Sequence, residues 1–179
     1  MRRHGYARRP GGGVLRHTLV WLAIMACVGW LFYGYTEGEL NPNRVPQVTG
    51  AGEIVLKRDR AGHFTAGGRI NGRSVQFLVD TGASQIAVPR QLAEALGLKR
   101  GLPIQLMTAA GPARGYMTRL ESVQLATLQL NNAAAIIAEG LDPGTVLLGM
   151  NFLRQLEITQ RGDELILKPL GRSDVNGKR

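Results

Sequence analysis

The sequence predicts an all-β domain with one or two short helices, preceded by a single N-terminal transmembrane helix. Three observations carry that prediction. An uncharged run of 18 residues, Thr18 to Tyr35, lies near the N-terminus and approaches the roughly 20 residues a helix needs to span a bilayer. Beyond residue 52 the apolar segments are short and separated by Gly, Pro and Asn, the punctuation of strands joined by turns. The stretch 53–170, near 118 residues, is long enough for one modest core and too short for two lobes.

The N-terminal arm, 1–17, carries Arg2, Arg3, Arg8, Arg9 and Arg16 and no acid, while Glu37 and Glu39 follow the apolar run. The positive-inside rule then keeps the arm in the cytoplasm and sends the rest across. Trp21, Trp30, Tyr33 and Tyr35 suit the interfaces of the bilayer. A cleaved signal peptide would have a shorter apolar region and a small-x-small site, and 33–43 offers no convincing one, so an uncleaved anchor over 18–35 is expected. The expected location is the inner (cell) membrane, single-pass, with the folded domain periplasmic or otherwise extracytoplasmic. Residues 36–52, rich in Pro, Asn and Gly, read as a linker lifting the domain off the membrane; 171–179 is a polar tail.

Within 53–170 the elements follow in order. Glu53 to Lys57 and His63 to Ile70 read as strands, and Asn71-Gly72 is a hairpin signal. Arg73 to Asp80 has Val75, Phe77 and Val79 on one face, with Leu78 making its end apolar on both, as in a strand buried at its end. Gln85 to Val88 is the next strand. Pro89 then opens a short helix, Arg90 to Leu96, which Gly97 stops. Ile104 to Thr108 and Tyr116 to Leu120 flank the small-residue segment 109–115, a hairpin suited to act as a flap. The alternation of Val123 to Leu130 slips phase once; Asn131-Asn132 is expected to turn into a strand over Ala133 to Ala138. Leu141-Asp142-Pro143-Gly144 is a turn, Val146 to Leu153 a buried strand passing through Gly149 into a short helix, and 157–168 a last hairpin.

Two segments carry chemistry. The first is Asp80-Thr81-Gly82-Ala83-Ser84, set between Phe77-Leu78-Val79 and Ile86-Ala87-Val88. A carboxylate ends a buried strand there, Gly82 permits a tight backbone, and the Thr81 and Ser84 hydroxyls are free to hold a loop or a ligand backbone. The second is Leu147-Leu148-Gly149, followed by Met150-Asn151-Phe152-Leu153, in which a glycine lets a strand pass close to another loop.

Together these segments resemble the retropepsin-like (retroviral-type, clan AA) aspartic proteases, and within them the bacterial membrane-anchored group. The resemblance implies a single-lobed acid-protease barrel over 53–170 and peptide-bond hydrolysis without metal or other cofactor. It implies Asp80 as the catalytic carboxylate, supported by Thr81, Gly82, Ala83 and Ser84, with Thr81 bonding between paired loops. It also implies a substrate-binding flap at Thr108, Ala109, Ala110 and Gly111, where the bacterial pattern often reads Thr-Ala-Asn-Gly.

That chemistry needs two carboxylates about 3 Å apart that share a proton, aspartic proteases being the standard example. Asp59, Asp142, Asp163 and Asp174 have polar or turn-forming neighbours and lack the preceding apolar strand. The second carboxylate is therefore expected from Asp80 of another copy, in a two-fold homodimer. The expected partners are a second copy, a protein or peptide substrate, and the membrane.

The net charge of +9 does not indicate nucleic acid: five of the 22 basic residues lie in the arm, and from Thr36 on 17 basic residues face 13 acidic ones. Basic arms of that kind suit anionic lipid. Cys27 is the only cysteine and the three histidines are scattered, which supports neither a metal site nor a Cys/His protease. The alternative function on the same fold is a non-catalytic peptide-binding or scaffolding module.

Overall fold

The computed structural model describes residues 12–40, 42–50, 52–108 and 111–170, with side chains described for 17–31 of the first helix. The chain divides into two units, 1–39 and 40–179.

The first unit is the helix α1, Gly12–Leu40, 29 residues long. Its described side chains are exposed, Trp21 at 65% and Trp30 at 75% among them. Among the described residues no helix is long and apolar enough to cross a membrane.

The second unit is built of strands. β1 (Gln47–Val48), β2 (Ile54–Lys57), β11 (Glu164–Pro169) and β10 (Leu156–Arg161) form a four-stranded sheet in the order β1-β2-β11-β10. The larger sheet runs β3 (Thr65–Ile70), β4 (Arg73–Val79), β9 (Thr145–Leu148), β5 (Ile86–Pro89), β8 (Leu128–Ala138), β7 (Gly111–Leu125), β6 (Pro103–Thr108). β3 also pairs with β7 through Arg69↔Gln124 and Ile70↔Val123, which closes six of these strands into a barrel. β6 lies outside the closure, bonded only to β7. The helices α2 (Arg90–Ala95) and α3 (Met150–Leu153) are the two short ones expected. A single apolar cluster, with Leu56, Phe77, Ile86, Leu120, Ile137, Leu148 and Leu167 at its centre, draws on both sheets.

Most elements form where the pattern of the sequence places them. Asn71 and Gly72 take positive φ, 49° and 78°, the two-residue turn that matches the twist of flanking strands. The turn expected at Asn131-Asn132 lies instead at Ala126-Thr127, with Ala126 at φ 48°. The phase slip after Leu125 was itself the turn. Asn131 and Asn132 sit inside β8, whose register on β7 continues on both sides, from Leu125↔Leu128 to Gly115↔Ala138. The hairpin expected around 109–115 forms, with its strands reaching further toward the tip than expected: Gly111 to Tyr116 pairs with Pro103 to Thr108.

The segment read as a linker, 36–52, divides. α1 continues to Leu40, and from residue 42 the chain lies against the domain. Asn43, 3% exposed, is the buried polar residue among those described. Its Nδ2 donates to the Lys57 and Thr65 carbonyls (2.6 and 2.8 Å), and its Oδ1 accepts from the Lys57 N–H (2.7 Å). A side chain so fully satisfied fixes the backbone around it.

Candidate active site

β4 leads into the Asp80 loop and β5 leads out of it. β9 runs between them, parallel to β4 (Leu78↔Leu147, Val79↔Leu148) and antiparallel to β5 at Ala87↔Leu147. The Asp80 and Leu147-Leu148-Gly149 segments, far apart in sequence, are thus adjacent strands. The Asp80 N–H donates to the Leu148 carbonyl (3.2 Å). Its half-buried carboxylate accepts from the Gly82 N–H at Oδ1 (2.9 Å), and its carbonyl accepts from the Ala83 N–H (3.3 Å). The loop therefore turns around its own carboxylate.

Gly149 explains the second motif. A Cβ there would lie 2.8 Å from the Ala83 carbonyl oxygen and 2.6 Å from the Gln85 carbonyl carbon. Its φ of −86° is open to any residue, so close approach and not backbone conformation demands glycine. Beyond it, Met150 N–H donates to Ala83 O (2.8 Å) and Asn151 N–H to Ser84 O (3.1 Å). Leu148 is buried and Leu147 half-buried beneath this contact.

Asn151 was not singled out by the sequence reading. Its Oδ1 accepts from the Ile86 N–H (3.0 Å) and its Nδ2 donates to Ala134 O (2.6 Å). The side chain ties the exit of the Asp80 loop to β8. The available signal was a single polar residue inside the apolar run Leu147 to Leu153. Asn151→Ala leaves an N–H and a carbonyl without these partners, so a loss of about 3 kcal/mol is expected from a urea unfolding curve.

Thr81, Gly82 and Ser84 are exposed, and Ala83 is half-buried. Thr108 donates its hydroxyl to the Gly111 carbonyl (2.7 Å), and Gly111 has φ 106°, a conformation that favours glycine. Ala109 and Ala110, the expected flap tip, lie outside the described residues. The root of the β6–β7 hairpin is tied to α2: Arg100 pairs with Glu94 (2.6 Å) and stacks over the Tyr116 ring (5.3 Å). Hydrogen bonding and charge from Arg90, with Arg100 adding to them, hold the Glu94 pKa below the ordinary carboxylate value. The tie is therefore expected at neutral pH and lost as pH falls through Glu94's depressed pKa. A carboxyl-carbon NMR titration of Glu94 with a midpoint at or above the ordinary value would contradict this.

The other described aspartates are engaged elsewhere. Asp59 accepts from the His63 N–H (2.8 Å), Asp142 from the Thr145 hydroxyl (3.3 Å), and Asp163 pairs with Arg58 (3.1 Å); Asp174 lies outside the described residues. A surface recess of about 810 Å3 has Arg44, Pro46, Gly68, Gln76 and Leu92 in its wall and no residue of 80–84. Among the described residues no cluster of three or more His, Cys, Asp or Glu is placed to hold a metal.

Residues 66–155 match the family model described as "gag-polyprotein putative aspartyl protease". The chain is 33% identical over 178 residues to an uncharacterized protein in the cobV 5' region of Sinorhizobium sp, covering 90% of this chain and 76% of that one. It is also 33% identical over 112 residues to the uncharacterized protein RP867 of Rickettsia prowazekii, covering 61% of this chain and 48% of the relative. Among solved structures, a retropepsin-like aspartic protease from Rickettsia conorii is similar with a TM-score of 0.56 and 33% identity, over 65% of this chain and 98% of that one. The Asp80 loop braced by the Gly149 strand falls inside the matched region, and the chain belongs to the retropepsin-like family of aspartic proteases.

Proposed function

We propose that this protein is a membrane-tethered aspartic endopeptidase that works as a homodimer, each copy supplying one Asp80. The observation that carries the reading is a half-buried Asp80 whose loop is fixed by backbone bonds from β9 and α3, while the remaining described aspartates are engaged elsewhere. One carboxylate is half of the required pair, and a two-fold axis brings identical loops face to face. Of the pair, the ionised carboxylate takes a proton from water as it attacks the peptide carbonyl, and the protonated one donates to the carbonyl oxygen. The tetrahedral gem-diol then collapses, a proton passes to the leaving amine, and the C–N bond breaks. Thr81, whose exposed side chain makes no hydrogen bond among the described residues, is suited to bond across the paired loops, and the β6–β7 hairpin to close over substrate.

The run 18–35 is the proposed anchor, with the arginine arm in the cytoplasm and the domain outside it. Confinement to one membrane raises the effective concentration of copies and favours pairing.

The test is cleavage of a peptide library by full-length protein in detergent, with a fixed amount of wild type mixed with increasing amounts of Asp80→Asn. Activity should fall as mixed dimers form. Undiminished activity would show that one copy suffices, and no cleavage by wild type would favour the scaffolding alternative.

A further inference from the structure

Asn43 stands apart among the described residues: it is a buried polar side chain in a segment whose composition reads as a tether. We propose that Asn43 is a positioning residue for Asp80, and that 42–48 is a working part of the catalytic unit. The inference rests on the reading of Asp80 as the catalytic carboxylate.

The geometry runs in short steps. β7 covers the outer edge of β3 only at Arg69 and Ile70. Over Thr65 to Gly67 that edge is covered by the strap instead: Thr65 O accepts from the Asn43 side chain, and the Gly67 N–H donates to the Asn43 carbonyl (3.0 Å). The fit is close, because a Cβ on Gly67 would overlap the Arg44 carbonyl. By bonding both Lys57 and Thr65, Asn43 also fastens together the two ends of the loop 58–64.

That loop presents its last carbonyl to the catalytic strand. Phe64 O accepts from the Val79 N–H (2.9 Å), and the next residue is Asp80. The loop is braced within itself by Asp59 N–H to His63 O (2.8 Å) and by Arg58 stacked on the Phe64 ring (4.8 Å). The Asn43 amide joins its two ends to each other; the first end is also held by Arg58, whose N–H donates to the Asp163 carbonyl (2.8 Å), and the last by the pairing of Thr65 with Leu78. β9 fixes one side of the strand end at Leu148, and the loop held by Asn43 fixes the other at Phe64. Releasing Asn43 unties the loop's two ends from each other and uncovers the outer edge of β3 at Thr65 and Gly67, which loosens the Phe64 side of the support for Asp80.

The consequence is that the strap cannot be treated as spare chain. Cleavage on the helix side of residue 42 would release a competent domain, whereas removal of 42–48 would not.

The experiment compares full-length wild type, Asn43→Ala and Asn43→Asp in detergent. Asn43→Asp keeps the shape and the acceptor for Lys57 N–H but loses both donations. Both variants should lose at least about tenfold in kcat with KM changed by less than about twofold, the pattern of an interaction that matters in the transition state. Amide hydrogen exchange, read by mass spectrometry, should quicken about tenfold or more over 64–66 and 79–82 and stay unchanged over the 156–169 hairpin, since local opening is confined to the released segment. A kcat within about twofold of wild type for either variant overturns the proposal, and so does exchange that quickens equally throughout the domain, which would mark a global loss of stability. Asp80→Asn run alongside separates the two readings. If it cleaves like wild type, the catalytic assignment fails, while the exchange pattern still reports whether Asn43 holds the strand end.

Discussion

Replacing Asp80 with asparagine should lower peptide turnover by roughly 10²–10⁴-fold or more, the range that a single positioned acid or base supplies. In a homodimer the substitution removes both carboxylates at once, so the upper part of that range is expected. The amide is nearly isosteric, and its oxygen can still accept from the Gly82 N–H that now bonds Oδ1 at 2.9 Å. The loop should therefore keep its shape. Circular dichroism and melting temperature are expected to match wild type to within a few degrees, corresponding to a stability change under about 1 kcal/mol. Turnover within about tenfold of wild type would remove Asp80 from the reaction, since that is less than a single general acid or base contributes.

The second large effect is on stability. Gly149→Ala places a methyl against the backbone of Ala83 and Gln85, at 2.8 Å from the Ala83 oxygen. No flexible side chain can move aside, so either β9 or the Asp80 loop must shift. A shift of either breaks bonds that define the site, from Met150 N–H to Ala83 O and from Asp80 N–H to Leu148 O. A loss of about 4 kcal/mol is expected, at the high end for one substitution, measured by urea unfolding of the variant against wild type. Gly72→Ala is the contrasting control: nothing lies within 4 Å of a Cβ there, although its φ of 78° is unfavourable for alanine, so its cost should be about 1 kcal/mol. Equal costs for the two would show that crowding at Gly149 is not what matters.

The local features of this fold are written in its residues, and the partnerships between them are not. Asn71-Gly72, the apolar end of β4, Pro89 before α2 and the glycine of the second motif each announce a local geometry, and each forms where expected. Asp80 was legible for the same reason, because a carboxylate at the end of an apolar strand followed by glycine is a local pattern. Asn131-Asn132 misled because turn propensity is weaker than the register of a long hairpin: β7 and β8 pair from Gly115↔Ala138 to Leu125↔Leu128 and carry both asparagines within the strand. Asn43 and Asn151 were missed for a different reason. Both act through bonds to backbone far away in sequence, Asn43 to Lys57 and Thr65, Asn151 to Ile86 and Ala134. The neighbours of Asn43 do not distinguish it from a residue in a polar loop, and the apolar neighbours of Asn151 set it apart without naming its partners.

The insertion of β9 between β4 and β5 also sets the order in which a functional site can be made. Its register joins Phe77 to Val146, 69 residues later. Closing so long a segment costs entropy before any contact repays it, and pairings between distant residues form slowly. A chain delivered N-terminus first exposes Asp80 well before Leu148 and Gly149 have emerged. Until they arrive, the Asp80 amide lacks its acceptor and the loop lacks its brace. Any activity that depends on the shape of the Asp80 loop is therefore withheld until β9 has been made and paired.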